Sequence, residues 1–315
     1  VVAIVPWNAQ LFLAATKIAP ALAAGNTVVV KASEHAPAAL FKFAELVDES
    51  GFPPGVINII TGFPEPCGRV LTTHPKVARI AFTGGTDVAK HIVRNSAENF
   101  AHVSLELGGK SPMNIFEDCN IDGAVNRIIA CNFGASGQSC VAGSRVFIHR
   151  SIHSKVIALV KERAKNIVVG DPLDNKTQVG PLATLHQVER ASKVIKNSLK
   201  QGADLVFGGK QPSHIKEGWY FEPTLLDCPN QELDCVKTEL FAPVISAIVF
   251  DTEEEAISMA NDSDYGLGSG VFTENLARAH RVSSKIHSGI VWINTYRVIS
   301  PISPFGGVKQ SGGSR

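Results

Sequence analysis

Short apolar runs alternate with longer, partly polar stretches along the first third of the chain. The apolar runs predict five strands, at Val1–Val5, Thr27–Lys31, Val56–Ile60, Ala78–Phe82 and Val103–Leu107. The stretches between them predict helices over Leu11–Ala24, Ala36–Ser50 and Val88–Asn95. Continuously apolar strands that alternate with helices are typical of a parallel sheet covered on both faces. The predicted fold class is therefore α/β, with an open parallel sheet in the first domain.

The same alternation begins again after Leu107 and indicates a second α/β domain. Its predicted strands are Arg145–His149, Val244–Phe250 and Ile290–Asn294, and its predicted helices are Gly123–Asn132 and Glu254–Asn261. An apolar stripe between Ile152 and Ile167 predicts one more amphipathic helix. We therefore expect domains over residues 1–107 and 108–305, with residues 306–315 returning toward the first domain.

Composition excludes several classes of function. The chain has 315 residues, and 30 Lys and Arg against 29 Asp and Glu give a net charge of +1, so no nucleic-acid partner is predicted. No apolar run reaches the roughly 18 residues that a membrane span needs. Six cysteines without a C-x-x-C pair indicate thiols and a cytoplasmic location. His149 and His153 lack further ligands, so no metal site is predicted.

The two ends suggest that the sequence is part of a longer protein. The first residue already lies in an apolar run, and the last four residues form a glycine-rich segment. We expect an internal fragment that lacks an N-terminal portion and a short C-terminal tail. A targeting segment would then lie in the missing N-terminal portion.

Polar residues follow several predicted strands, where parallel sheets bind their ligands. Phe82–Thr86 joins a strand to a helix, and the exposed N–H groups of a helix start suit a phosphate, although such turns also serve structure alone. Lys31, Ser33 and Glu34 follow the second strand. Asn8 follows the first strand, where its amide could hold an oxyanion or could cap the next helix.

Two further residues could carry chemistry. Glu106 ends an apolar strand beside glycines, so it could act as a base, or it could form a salt bridge with Lys110. Cys140 lies in a loop of small residues that would leave its sulfur reachable, although a lone cysteine is more often a small buried hydrophobe.

Taken together, seven ordered segments resemble the aldehyde dehydrogenase superfamily over essentially the whole chain. The segments are Pro6–Asn8, Leu22–Thr27, Phe82–Gly84, Leu105–Lys110, Gly137–Cys140, Glu239–Val244 and Pro304–Gly312. The resemblance implies oxidation of an aldehyde to a carboxylate with NAD, with NADP also possible. It also implies a thiohemiacetal and then a thioester on a cysteine. A small-molecule aldehyde as partner and a homodimer or homotetramer of the full-length protein follow from the same resemblance.

The resemblance assigns a role to each matching residue. It implies that Cys140 is the nucleophile, Glu106 the base for the deacylating water, Asn8 an oxyanion donor and Lys17 a member of a proton relay. It implies cofactor contacts from ten positions, which are Trp7, Lys31, Ser33, Glu34, Thr83, Gly84, Gly85, Leu107, Glu239 and Phe241. No metal is implied.

Three departures from the family pattern concern the cofactor helix and the cysteine loop. Gly85 replaces a usual serine, Ala89 a usual glycine and Ala135 a common asparagine. Gly85 removes one hydroxyl contact to the pyrophosphate. Gly85 and the two ends of the sequence leave open the alternative of a non-catalytic dinucleotide-binding protein on the same fold. A thiol hydrolase that needs no cofactor is a further alternative.

Overall fold

The computed structural model describes residues 1–313, which form two compact units. The first unit contains Val1–Leu107 together with Gly312 and Gly313, and the second contains Gly108–Ser311. Each unit is built on its own mainly parallel sheet. The predicted α/β class is confirmed. Residues 314–315 of the predicted return segment lie outside the described residues.

The first unit has a five-stranded sheet in which every pair of neighbours is parallel. Its strands are β1 (Val2–Ile4), β2 (Val28–Ala32), β3 (Ile57–Thr61), β4 (Arg79–Thr83) and β5 (His102–Glu106). Their spatial order is β3-β2-β1-β4-β5. The order therefore reverses between β1 and β4, and ligands of open parallel sheets bind beyond the strand ends at such a switch point.

Helices cover both faces of this sheet. They are α1 (Gln10–Ala23), α2 (Ala38–Glu49), α3 (Arg69–Thr73) and α4 (Thr86–Ser96). Ala3 of β1 belongs to a core that includes residues of α1, whereas Ile4 belongs to a separate core that includes residues of α4. Because successive strand residues point to opposite faces, β1 must be apolar at every position, as its sequence is.

The second unit has a seven-stranded sheet and a short two-stranded ribbon. The nine strands are β6 (Pro112–Ile115), β7 (Arg145–His149), β8 (Asp204–Phe207), β9 (Thr224–Asp227), β10 (Val244–Phe250), β11 (Tyr265–Gly266), β12 (Gly268–Phe272), β13 (Ile290–Ile293) and β14 (Val308–Lys309). The large sheet runs β13-β12-β6-β7-β10-β9-β8, and its pairs are parallel except for β8 with β9. The ribbon pairs β11 with β14.

The helices described in the second unit are α5 (Ile121–Phe133), α6 (His153–Ala164), α7 (Leu185–Lys200), α8 (Asp234–Lys237), α9 (Glu253–Asn261) and α10 (Leu276–Lys285). The sequence pattern predicts α5, α6 and α9 but not α7, α8 or α10. The start of α7 is a capping box, since Thr184 and Gln187 each bond the other's backbone amide. That motif was readable in the sequence. Among residues 1–313, every helix is too short or too polar to cross a bilayer.

Candidate active site

Trp7 and Asn8 lie just beyond the end of β1, at the switch point of the first sheet. Both side chains are half-buried. The helix that follows begins at Gln10, and its N-cap is Ala9 in a left-handed conformation (φ 48°). The alternative interpretation of Asn8 as the N-cap is therefore wrong.

Lys17 of α1 reaches the end of a neighbouring strand. Its Nζ donates a hydrogen bond of 2.7 Å to the hydroxyl of Thr83, the last residue of β4. Thr83 is paired in register with Glu106 of β5. The first unit thus brings together an ammonium group, a hydroxyl group and a carboxyl group at one edge of its sheet.

Glu106 is a carboxyl group in an environment that disfavours its charge. Burial raises the pKa of Glu106 to about 7, although the nearby Lys17 cation acts in the opposite direction. Its Oε2 is buried and has no hydrogen-bond partner among the described residues. Lys110 Nζ likewise has none, so the alternative of a Glu106–Lys110 salt bridge lacks support.

Lys31, Ser33 and Glu34 lie together where β2 ends. Lys31 Nζ donates to the Glu34 carboxylate at 3.2 Å, and Ser33 Oγ accepts from the His35 amide at 3.3 Å. Burial by itself would raise the pKa of Glu34. The hydrogen bond from its own backbone amide and the Lys31 cation together lower the pKa by more, so the pKa of Glu34 is lowered. Glu34 is therefore a preformed anionic hydrogen-bond acceptor.

Gly84 and Gly85 connect β4 to α4. A Cβ on Gly84 would lie 2.4 Å from the Phe82 ring, whereas a Cβ on Gly85 would meet nothing within 4 Å. Gly85 is the N-cap of α4 with an ordinary backbone conformation (φ −75°) and provides no side-chain cap. Ala89, one turn into the helix, is buried in the core. A side chain at position 85 would therefore begin in open space at the start of the helix.

Cys140 follows a tightly wound loop in the second unit. Within this loop, Ala135, Ser136 and Gly137 all have positive φ. Ser136 donates to the Gly180 carbonyl at 2.9 Å, and Gln138 Oε1 accepts from the Ala183 amide at 2.8 Å. These bonds hold a backbone path that is unfavourable for residues other than glycine.

The environment of Cys140 differs from that of the other cysteines of its unit. Its side chain is half-buried. Cys119, Cys131, Cys228 and Cys235 are buried. Burial is the main cause that raises the pKa of Cys119 to about 11 and that of Cys131 to about 12, so neither is suited to act as a thiolate.

Glu239 is held by the glycines that open the second unit. Its Oε1 accepts a 2.9 Å hydrogen bond from the Gly109 amide, and its Oε2 lies 2.1 Å from where a Gly108 Cβ would be. Burial raises the pKa of Glu239, although the Gly109 amide and the Lys110 cation act in the opposite direction. Gly108 is thus a further residue of this site, beyond those that the sequence predicts.

Phe241 and Gln187 connect this carboxylate with the cysteine loop. Phe241 has a positive φ of 53°, and its carbonyl accepts from Gln187 Nε2 at 3.1 Å. Gln187 also contacts Gln138 Oε1 at 3.5 Å. A small pocket lies here, lined by residues that include Gly109, Ser139, Glu239 and Phe241. Gln187 lies in α7, a helix that the hydrophobic pattern does not predict.

A doubly wound parallel sheet in the first unit and a second unit with its own mainly parallel sheet define an α/β protein of two units, the second of which carries the half-buried Cys140. The profile of the Aldehyde dehydrogenase family matches residues 1–315. The chain therefore belongs to the aldehyde dehydrogenase family.

Relatives with similar sequences include two dehydrogenases from bacteria. (Z)-2-((N-methylformamido)methylene)-5-hydroxybutyrolactone dehydrogenase of Acinetobacter baylyi is 57% identical over 316 residues, which cover 100% of this chain and 64% of the relative. Betaine aldehyde dehydrogenase of Rhizobium leguminosarum is 40% identical over 310 residues, covering 98% of this chain and 63% of the relative. The chain thus spans just under two thirds of the length of these relatives.

Solved structures share the fold over nearly the whole chain. PnpE in complex with nicotinamide adenine dinucleotide is 43% identical with a TM-score of 0.97, and the match covers 99% of this chain and 64% of PnpE. Betaine aldehyde dehydrogenase of Staphylococcus aureus in complex with NAD+ is 39% identical with a TM-score of 0.96, covering 99% and 62%.

The strained cysteine loop yields a prediction about Gly137. Gly137→Ala should destabilise the protein by about 2 kcal/mol or more, because a left-handed residue (φ 71°) would acquire a Cβ 2.3 Å from the Ala242 carbonyl. Urea unfolding measures the change. Gly134→Ala is the control in the same loop, since its nearest atom would be 3.9 Å away. Equal stability of the two variants would contradict the prediction.

Proposed function

We propose that this chain is the core of an NAD-dependent aldehyde dehydrogenase, which oxidises an aldehyde to a carboxylate. Membership of the aldehyde dehydrogenase family supports the reaction class. The dehydrogenase names of the relatives and the NAD bound by PnpE and by the Staphylococcus aureus enzyme support the same activity. The observation that carries the proposal is Glu106, a half-buried residue with a buried Oε2 at the end of a parallel strand, whose pKa is raised to about 7.

The residues present fit a dinucleotide. The open start of α4 above Gly85 suits a phosphate, since helix N-termini attract anions. Glu34 is a carboxylate with a lowered pKa, which suits ribose hydroxyl groups and would repel a 2′-phosphate. NAD would therefore be preferred to NADP. When bound, NAD supplies the acceptor for the hydride of the aldehyde.

Ten residues would hold this cofactor, and they fall into two sets. In the first unit they are Trp7, Lys31, Ser33, Glu34, Thr83, Gly84, Gly85 and Leu107. In the second unit they are Glu239, whose carboxylate would accept from ribose hydroxyl groups, and Phe241, which would pack against the cofactor. Gly108 and Gly109 fix the position of the Glu239 carboxylate.

Cys140 would be the nucleophile. Its thiolate attacks the aldehyde carbonyl and forms a thiohemiacetal, whose oxyanion would accept hydrogen bonds from the Asn8 side-chain amide and the Cys140 backbone amide. Each such donor contributes about 2.7–4 kcal/mol in other enzymes. Loss of the hydride leaves a thioester on Cys140, which water must then cleave.

Glu106 would remove the proton from that water. A general base works best when its pKa is near the working pH, and burial raises the pKa of Glu106 to about 7. Lys17 would assist by proton transfer at its Nζ, since it bonds the Thr83 hydroxyl and lowers the pKa of Glu106 relative to burial alone. The presence of this base favours hydrolysis over transfer of the acyl group to another acceptor.

The nucleophile is tested with Cys140→Ala in the complete protein. We expect NADH formation from a panel of short, long and aromatic aldehydes to fall by more than about a thousandfold, because no thiohemiacetal can form. Cys67→Ala, a half-buried cysteine of the first unit, is the control and should retain activity. NAD binding without turnover in the wild type would favour the non-catalytic alternative, and turnover without NAD would favour the hydrolase.

The base is tested with the pH dependence of turnover. Because Glu106 acts when deprotonated, acid formation should rise with pH through about 7, and Glu106→Gln should abolish this rise. The same raised pKa links Glu106 to the free energy of unfolding. Protonated Glu106 stabilises the folded state fully below the pKa that Glu106 has in the unfolded chain, and this stabilisation is lost as pH rises through about 7. Glu106→Gln should therefore melt higher than the wild type well above pH 7. A pH profile that Glu106→Gln leaves unchanged would exclude this role.

The cofactor site is tested by restoring a hydroxyl at the start of α4. Gly85→Ser should tighten NAD binding about fivefold, since the side chain meets no atom within 4 Å and could donate to a phosphate. It should also stabilise the helix by a few tenths of a kcal/mol as an N-cap. Calorimetric titration with NAD measures the affinity, and Gly85→Ala is the control without a hydroxyl. Equal affinities of the two variants would argue against a phosphate at this position.

A further inference from the structure

Two cysteines that the proposed reaction does not use lie in contact inside the second unit. Cys228 follows β9 and Cys235 lies in α8, and both are buried. Their sulfur atoms are 3.5 Å apart. A disulfide requires about 2.05 Å between sulfurs, so the two atoms need to approach by only about 1.5 Å.

The backbone of each cysteine is held in place. The Cys235 amide donates to Ser198 Oγ at 2.9 Å, and its carbonyl accepts from Ser246 Oγ at 3.0 Å. The Cys228 amide donates to the Ala247 carbonyl at 2.8 Å. Because both backbones are fixed by their neighbours, the sulfur atoms are kept within reach of each other in the folded protein.

Hydrogen bonds separate the two thiols. The hydrogen bond between them lowers the pKa of Cys235, which Ser198 and Ser246 lower further, and raises the pKa of Cys228. Lys110 is a buried cation whose field favours negative charge at both sulfurs, and its Nζ has no hydrogen-bond partner in the described part of the chain. Cys235 is therefore the better nucleophile and Cys228 the better resolving thiol.

We propose that Cys228 and Cys235 form a redox-active dithiol, which hydrogen peroxide converts reversibly into a disulfide. The Cys235 thiolate attacks one peroxide oxygen, so that an S–O bond forms, the O–O bond breaks and hydroxide leaves and takes up a proton as water. Cys228 then attacks the sulfur of the sulfenic acid, so that the S–S bond forms, the S–O bond breaks and a second water leaves. The two thiols lose two electrons and two protons, and one peroxide becomes two waters.

The other buried cysteines lack this arrangement. Cys131 has the Met113 sulfur, a thioether, at 3.4 Å rather than a second thiol. The raised pKa values of Cys119 and Cys131 also disfavour their thiolates. An inert pair of buried hydrophobic thiols is the competing interpretation of Cys228 and Cys235.

The experiment treats the folded complete protein with excess hydrogen peroxide, blocks remaining thiols with iodoacetamide and analyses tryptic peptides by mass spectrometry. Trypsin releases both cysteines in one peptide, residues 217–237, because its only cleavage sites nearby follow Lys216 and Lys237. Cys140 falls in a different peptide, so its oxidation is measured separately. We expect the 217–237 peptide to escape alkylation, to lose the mass of two hydrogen atoms, and to return to the alkylated form after dithiothreitol.

Single variants show which thiols are needed. Cys228→Ser and Cys235→Ser should each abolish the loss of two hydrogens, whereas Cys131→Ser should leave it intact. Full alkylation of the 217–237 peptide under conditions that oxidise Cys140 would overturn the proposal, as would a disulfide that forms only in denaturant. The wild-type result decides the question even where a variant fails to fold, and it does not depend on the dehydrogenase activity.

Discussion

Close approach of the backbone at Gly108 and Gly109 is the constraint on which the candidate site of the second unit depends. A Cβ on Gly108 would lie 2.1 Å from the Glu239 carboxylate, and a Cβ on Gly109 would lie 2.7 Å from the Cys140 carbonyl. Two adjacent residues without side chains therefore admit a carboxylate on one side and the cysteine loop on the other. The Gly109 amide then bonds the carboxylate that this space admits. Substitution at either glycine would displace a proposed functional group rather than only reduce packing.

Two carboxyl groups of the first unit illustrate how environment separates an acceptor from a base. Glu34 has Lys31 at 3.2 Å and its own backbone amide, and its pKa is lowered. Glu106 has a buried oxygen without a hydrogen-bond partner among residues 1–313, and burial raises its pKa to about 7. Pairs of carboxyl groups whose pKa values are driven apart commonly divide the roles of a site. Glu34 suits ribose hydroxyl groups, and Glu106 suits proton abstraction.

Hydrophobic pattern predicted the strands of the first unit because each contains a short apolar run, and the central strand β1 is apolar and buried at every position. In the second unit the pattern failed where other forces decide the structure. Gly268–Phe272 forms a buried strand although two of its five residues are glycine, because tertiary packing overrides strand propensity. The helix that Asn8 could have capped instead begins after Ala9, whose left-handed conformation no local pattern indicates. The contacts of Glu239 also required the fold, since Gly109 is 130 residues away in sequence.

Two buried cations of the second unit are stabilised in different ways. Arg145 donates to the carbonyl groups of Lys110 and Ala260 at 2.7 and 2.9 Å, so its planar group is matched by fixed acceptors. Lys110 Nζ has no such partner in the described chain, and burial lowers the pKa of Lys110 to about 8, which the fields of Cys235 and Glu239 offset only in part. A buried charge without hydrogen bonds depends strongly on its counter-charges. Because Lys110 is the cation common to the dithiol and to the proposed ribose-binding carboxylate, a change of charge at Cys235 alters the electrostatic balance between Lys110 and Glu239.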